Sequence, residues 1–263
     1  MTPSSGIVFL LWLLIAAAII AMLAKRLRIP YTVSLVLGGL LLGVVHLPIL
    51  SPLQPSNRPE WLTPDVILIL FLPALVFEGS VKLNVRELLR NSVPLLLLAN
   101  AGMLFAALVT GCLVHWLIGL LILIGLVFGS IISATDPISV LAIFKDLRVD
   151  KRLSLIMEGE SLLNDGTAVV LFGILFGAVA AEKSSAPAYV GQYVLAVAGG
   201  AILGAVLGYL ASRITGTVDD PEIEITLTTI LAYGSYLLAH HLHLSGVIAT
   251  AAAGLVLGNF GSR

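Results

Sequence analysis

Residues 159–181 read GESLLNDGTAVVLFGILFGAVAA. Glu160, Ser161, Asn164 and Asp165 crowd its first turns, and no charge follows until Glu182. An apolar run of about 20 residues matches the hydrocarbon thickness of a bilayer. A carboxylate inside such a run costs several kcal/mol unless it is paired, hydrated or protonated. Asp165 at the mouth of this helix is therefore either held by neighbouring helices or has a task in the membrane.

The rest of the chain agrees with a membrane setting. Its 263 residues are 59% hydrophobic and 11% charged, with a mean hydropathy of +1.07. A soluble domain carries about 25% charged residues. The net charge of −1 points to no nucleic-acid partner. The single cysteine, Cys112, excludes an internal disulfide and a cysteine-based zinc cluster. No basic residue precedes Ile7–Leu23, so that run reads as a first span and not as a cleaved signal peptide.

Nine apolar stretches are of spanning length: about 6–24, 31–47, 64–80, 93–116, 118–144, 154–181, 189–212, 223–241 and 245–260. The fold class is an all-α polytopic membrane protein. Thr63-Pro64 and Asp220-Pro221 each place a capping side chain before a proline at the first helical position. With the N-terminus outside, the inside loops and the C-terminal end hold Lys25, Arg26, Arg28, Lys82, Arg86, Arg90, Lys145, Arg148, Lys151, Arg152, Arg213 and Arg263; the outside loops hold only Arg58 and Lys183. That bias is the positive-inside pattern. The acids at 219–224 read as a solvated helix start or a cation-attracting vestibule.

Loops account for most acids. Glu78, Asp136, Glu158, Glu160 and Asp165 are left at membrane depth. Ser161 and Asp165 are four apart, as are Glu160 and Asn164, so the four form one polar stripe on the sixth span. No lysine or arginine lies on that stripe. A small cation or a proton suits a cluster of hard oxygens. The fifth span contains GSIISATDPISV over Gly129–Val140. Pro137 has no N–H, so the carbonyl of Ser133 loses its helical donor, and Asp136 is pushed toward extended geometry. The spacing predicts a broken helix at Thr135–Pro137, offering the oxygens of Thr135 and Asp136. Half-helix ends of this kind build ion sites in secondary transporters. A simple proline kink is the alternative.

ATDP (Ala134–Pro137) followed by EGESLLNDGTAVV (Glu158–Val170) resembles the monovalent cation:proton antiporter family, the sodium/proton antiporters of NhaP/NHE type. RIPYTVSLVLGGLLLG (28–43), LFLPALVFEGS (70–80) and HLSGVIATAAAGLVLGN (243–259) resemble that family's second, third and ninth spans. The resemblance implies that Asp165 carries cation and proton alternately. It implies that Asp136, Ser161 and the Thr135 carbonyl help hold Na+, with Glu78 acting through water. Asn164 would brace the crossing helices, and Glu160 would pair with an arginine on a later helix. It also implies an inverted-repeat fold of which this chain is the first part, an N-terminal fragment or truncated product. Within it, about 93–181 would be ion-binding core helices; about 1–92 and 182–263 would be scaffold, dimer-side and linking helices. The implied protein has no cofactor beyond its transported Na+ (or Li+ or K+) and H+. It would sit in the plasma (inner) membrane as a homodimer when full length.

Other features have plainer readings. Gly200, Gly204, Gly208 and Ser212 form a small-residue ladder, as do Gly246, Thr250, Gly254 and Gly258. Both suit close packing inside the chain or a dimer face. His240, His241 and His243 suit an interfacial loop, a pH sensor or a metal. His115 and Trp116 suit an aromatic belt. Two alternatives of other classes remain: an intramembrane aspartyl protease using Asp136 and Asp165, and a cation channel. The protease lacks the expected Gly-x-Gly-Asp around its second acid, and a channel needs no proton-exchanging acid at depth.

Overall fold

A computed structural model describes residues 3–27, 29, 31–44, 59–135, 137, 140–141, 144, 147–180, 186–218 and 220–260. Asp136 lies outside the described residues, as do the loop charges Arg28, Arg58, Lys145, Asp146, Glu182, Lys183, Asp219 and Arg263.

Every regular element is helical among the described residues. The chain forms two compact units, 1–68 and 69–263. In the first, α1 (Pro3–Leu27) packs on α2 (Tyr31–Val44), with Gly38 against the Ile20 side chain. Trp61 lies against Gly6 in the same unit. Leu11, Leu14, Leu40 and Leu41 are exposed, as expected where lipid tails take the place of water.

Helix α3 (Pro64–Val81) runs from the first unit into the second. Thr63 Oγ1 accepts from Val66 N at 3.3 Å at its start. The segment read as an inside loop after it holds a short helix, α4 (Val85–Arg90), capped by Asn84 Oδ1, which accepts from the backbone N–H of Arg86 and Glu87. Then come α5 (Ser92–Ile118), α6 (Ile122–Ile132), α7 (Lys151–Ala180), α8 (Ala186–Thr215), α9 (Pro221–His241) and α10 (Gly246–Phe260). The predicted cap of α9 is present: Asp220 Oδ1 accepts from Glu222 N at 2.9 Å.

Five of these helices are long and apolar enough to cross a membrane: Gly6–Leu27, Pro64–Val81, Ser92–Ile118, Lys151–Val179 and Pro187–Thr215. Val33–Val44, Ile122–Ile132 and Gly246–Phe260 are apolar but shorter. The expected count of nine spans is therefore not set by helix length alone. The fifth expected span, 118–144, is divided: α5 ends at Gly119, in the left-handed region at φ 76°, and α6 stops at Ile132.

Small residues set the helix spacing. A Cβ on Gly200 would stand 2.7 Å from Ser245 O, and one on Gly208 2.6 Å from Ala253 O; Gly204 lies against Ala249 O. Gly254 faces Ser80 Oγ, and Gly258 faces Val81 O. Both ladders thus pack within the chain, seating α10 against α8 and α3. In α10, Val247, Ile248, Ala249, Ala251 and Ala253 are almost wholly buried, which makes it the hub of the second unit. Its C-terminal Asn259 ties back by accepting from Val85 N at 3.0 Å and donating to Leu83 O at 2.8 Å.

Candidate cation and proton site

The site grows from the break in the fifth span. Ser133 ends α6, residues 133–135 are not helical, and helical backbone resumes by Val140–Leu141, with Leu141 N donating to Pro137 O. The carbonyl of Ser133 cannot be paired by Pro137. It accepts instead from Asn164 Nδ2 of α7 at 3.0 Å. The next exposed carbonyl, that of Thr135, accepts from Ser161 Oγ at 2.7 Å. The stripe on α7 is therefore the partner of the broken helix.

A second layer joins the two. Asn164 Nδ2 lies 3.0 Å from Thr135 Oγ1 and 3.2 Å from Glu160 Oε1, so two hydrogens are shared among three acceptors. Thr135 Oγ1 donates to the Glu160 carboxylate, 3.3 Å from Oε2. Asn164 is 1% exposed and Ser161 5%, so both are locked by packing. Asn164 Oδ1 is buried without a hydrogen-bond partner among the described residues. It is an acceptor turned away from the carbonyls that its nitrogen holds.

Asp165 is half-buried, one residue beyond Asn164. Four of the expected residues are thus brought into one hydrogen-bonded cluster, Thr135, Glu160, Ser161 and Asn164, with Asp165 beside it in the same turn of α7. Pro137 lies at the break, and Asp136 falls outside the described residues. Glu78 does not join the cluster. It is on α3, its side chain 65% exposed, with Oε1 2.6 Å from Lys82 Nζ. No lysine or arginine among the described residues pairs with Glu160, whose carboxylate is held by Thr135 and Asn164. Glu158 is exposed at the polar end of α7.

Sequence reasoning missed the continuation of the α7 stripe at Thr167. Thr167 Oγ1 donates to Ala99 O at 3.0 Å, and Ala99 sits in a π-turn, Leu97–Gly102, inside α5. Tyr193 of α8 donates to Asn100 Oδ1 at 2.9 Å. The available signal was Asn100 itself, a lone amide in the apolar run LLLLANAGML.

An all-helical membrane chain with a broken helix facing an acid-bearing one has the construction of a secondary transporter's ion site. The chain matches the family of transmembrane sodium/hydrogen exchangers over residues 13–263 and belongs to it. It is 42% identical to the Na(+)/H(+) antiporter NhaG of Bacillus atrophaeus over 254 residues, which are 95% of this chain and 48% of that one. It is 40% identical to the Na(+)/H(+) antiporter ApNhaP of Aphanothece halophytica, over 90% of this chain and 44% of the relative. In fold it is similar to the sodium proton antiporter MjNhaP1 of Methanocaldococcus jannaschii, with a TM-score of 0.82 at 22% identity, over 98% of this chain and 63% of that one. The chain spans about half the length of NhaG. Its family is one of transporters and not of enzymes, which sets the protease alternative aside.

Proposed function

We propose that the protein exchanges Na+ for H+ across a membrane, with Asp165 alternately protonated and cation-bound. The carrying observation is the joint between α7 and the broken helix: Asn164 and Ser161 take up the carbonyls of Ser133 and Thr135, so the helix break and the acid belong to one site. In this reading Asp165, Asp136, Ser161 and Thr135 supply the oxygens for Na+, while Glu78, exposed and paired with Lys82, is given no part in holding it. Asn164, Glu160 and Pro137 hold the frame. Support comes also from the names of the similar proteins, which are Na(+)/H(+) antiporters.

One carboxylate cannot hold a proton and a cation at once, so loading one releases the other. Asn164 is an amide and adds no proton to the cycle. Glu160, hydrogen-bonded within the frame, is assigned no exchange. The exchange is then one Na+ for one H+, without net charge movement. In this reading the protein sits in the plasma membrane with its basic loops inside and works as a homodimer. Residues 93–181 form the ion-binding part, with 1–92 and 182–263 as scaffold.

The test uses everted membrane vesicles from cells that lack their own Na+/H+ exchange and express the protein. Added Na+ should collapse an imposed pH gradient, and Asp165→Asn should abolish that response at equal protein level. A gradient insensitive to Na+, or a fully active Asp165→Asn variant, removes the assignment. Proton-independent Na+ flux would point to a channel instead.

A further inference from the structure

We propose that Tyr193, Asn100 and Thr167 form a polar joint at the π-turn of α5 that sets the rotation of α7 and thereby positions the cation ligands. The proposal rests on the reading of the α7 stripe as the cation site.

Three helices meet at this joint. A π-turn replaces i→i+4 pairing by i→i+5 and is often found at functional sites. Here it spans Leu97–Gly102, and Ala99 at its centre is fully buried. The Ala99 carbonyl accepts from Thr167 Oγ1 at 3.0 Å, and the same hydroxyl lies 3.1 Å from Asn164 O. The next residue, Asn100, turns its Nδ2 back to Leu96 O at 3.1 Å and offers Oδ1 to the hydroxyl of Tyr193. Tyr193 is half-buried. It reaches in from α8, so the joint links α5, α7 and α8.

Thr167 follows Asn164 by three residues, so both ride on the same turn of one rigid helix. Asn164 and Ser161 hold the broken helix, while Thr167 is bonded to the π-turn. Rotating α7 enough to free Thr167 from Ala99 would carry Asn164 away from Ser133 and Thr135. Hydroxyls and amides in an apolar setting are costly unless paired, so the joint has one favourable arrangement. These are positioning residues: none is assigned to touch the ion.

The test separates positioning from packing. Na+ dependence of exchange is measured in everted vesicles for Tyr193→Phe, Thr167→Val and Thr167→Ser, alongside Na+-induced thermal stabilisation of the detergent-purified protein. Tyr193→Phe and Thr167→Val should each raise the half-saturating Na+ concentration about fivefold, the scale of one hydrogen bond. Their maximal rates should change little, and the thermal stabilisation should shift to higher Na+ in step. Thr167→Ser, which keeps the hydroxyl, should remain near the unmodified protein. Unchanged half-saturation in Tyr193→Phe and Thr167→Val overturns the proposal. So does a Thr167→Ser shift as large as that of Thr167→Val, because shape and not the hydroxyl would then be at work. If Thr167→Val does not accumulate, Tyr193→Phe alone decides. An unmodified protein with no Na+ response overturns the antiporter reading itself, and the joint with it.

Discussion

The side-chain nitrogen of Asn164 lies 3.0 Å from the carbonyl oxygen of Ser133, the carbonyl that Pro137 leaves without a helical donor. Two features 27 or more residues apart in the chain thus answer each other. A buried carbonyl without a donor costs about 1–3 kcal/mol. Here the donor comes from the helix that also carries Asp165. The break and the acid are consequently one structure, and a change at either should be felt at the other.

Asn164→Asp tests that coupling. The carboxylate has no hydrogen to give to Ser133 O, Thr135 Oγ1 or Glu160 Oε1, and it would bring a second charge beside Glu160. A loss of about 2 kcal/mol is expected from the orphaned buried carbonyl alone. Thermal unfolding of the purified protein should show a lower midpoint. An unchanged midpoint would mean that the break satisfies itself some other way.

Asp136→Asn should raise the half-saturating Na+ concentration or abolish exchange. The proposed role is to supply charge and oxygen at the broken helix while Asp165 carries the proton. An unchanged Na+ dependence would reduce the ATDP segment to a kink.

Gly204→Leu should destabilise the protein. Any Cβ there runs into the backbone at Ala249 O, and backbone cannot turn aside as a side-chain tip can. Overpacking of this kind costs about 1–3 kcal/mol. Gly234→Ala is the control: no atom lies within 4 Å of the added Cβ, and α9 should gain slightly from alanine's helix preference. The midpoints of thermal unfolding should separate the two, and equal values would contradict the ladder's packing role.

Voltage should not drive the exchange. If only Asp165 cycles, one Na+ crosses for each H+, although a single charge over 100 mV is worth about 2.3 kcal/mol. In proteoliposomes with a fixed Na+ gradient and the potential clamped by K+ and valinomycin, the final pH gradient at zero and at −100 mV should coincide. An endpoint that moves with voltage would show a second proton in the cycle.

Much of this was legible in the residues alone. The membrane setting follows from composition, because 11% charge cannot cover a soluble surface. The break at Pro137 follows from proline's missing N–H, and the polar stripe from helical periodicity; both are local effects, written within a few residues. The Asp220 cap was readable for the same reason. What the sequence could not decide is which distant groups meet. Either glycine ladder could have faced a second copy, since a row of small residues states only that something comes close. The fold set the α8 ladder against α10 and the α10 ladder against the end of α3. Asn164 could have braced any neighbour, and only the crossing of α7 with the broken helix brought it to Ser133 and Thr135. Glu78 looked like a member of the acid group by its depth in an apolar run, yet it lies exposed one turn from Lys82. The π-turn at Leu97–Gly102 was invisible, because no local residue pattern demands i→i+5 pairing. Ala99 meets Thr167 there across 68 residues of chain, a contact that tertiary packing alone creates.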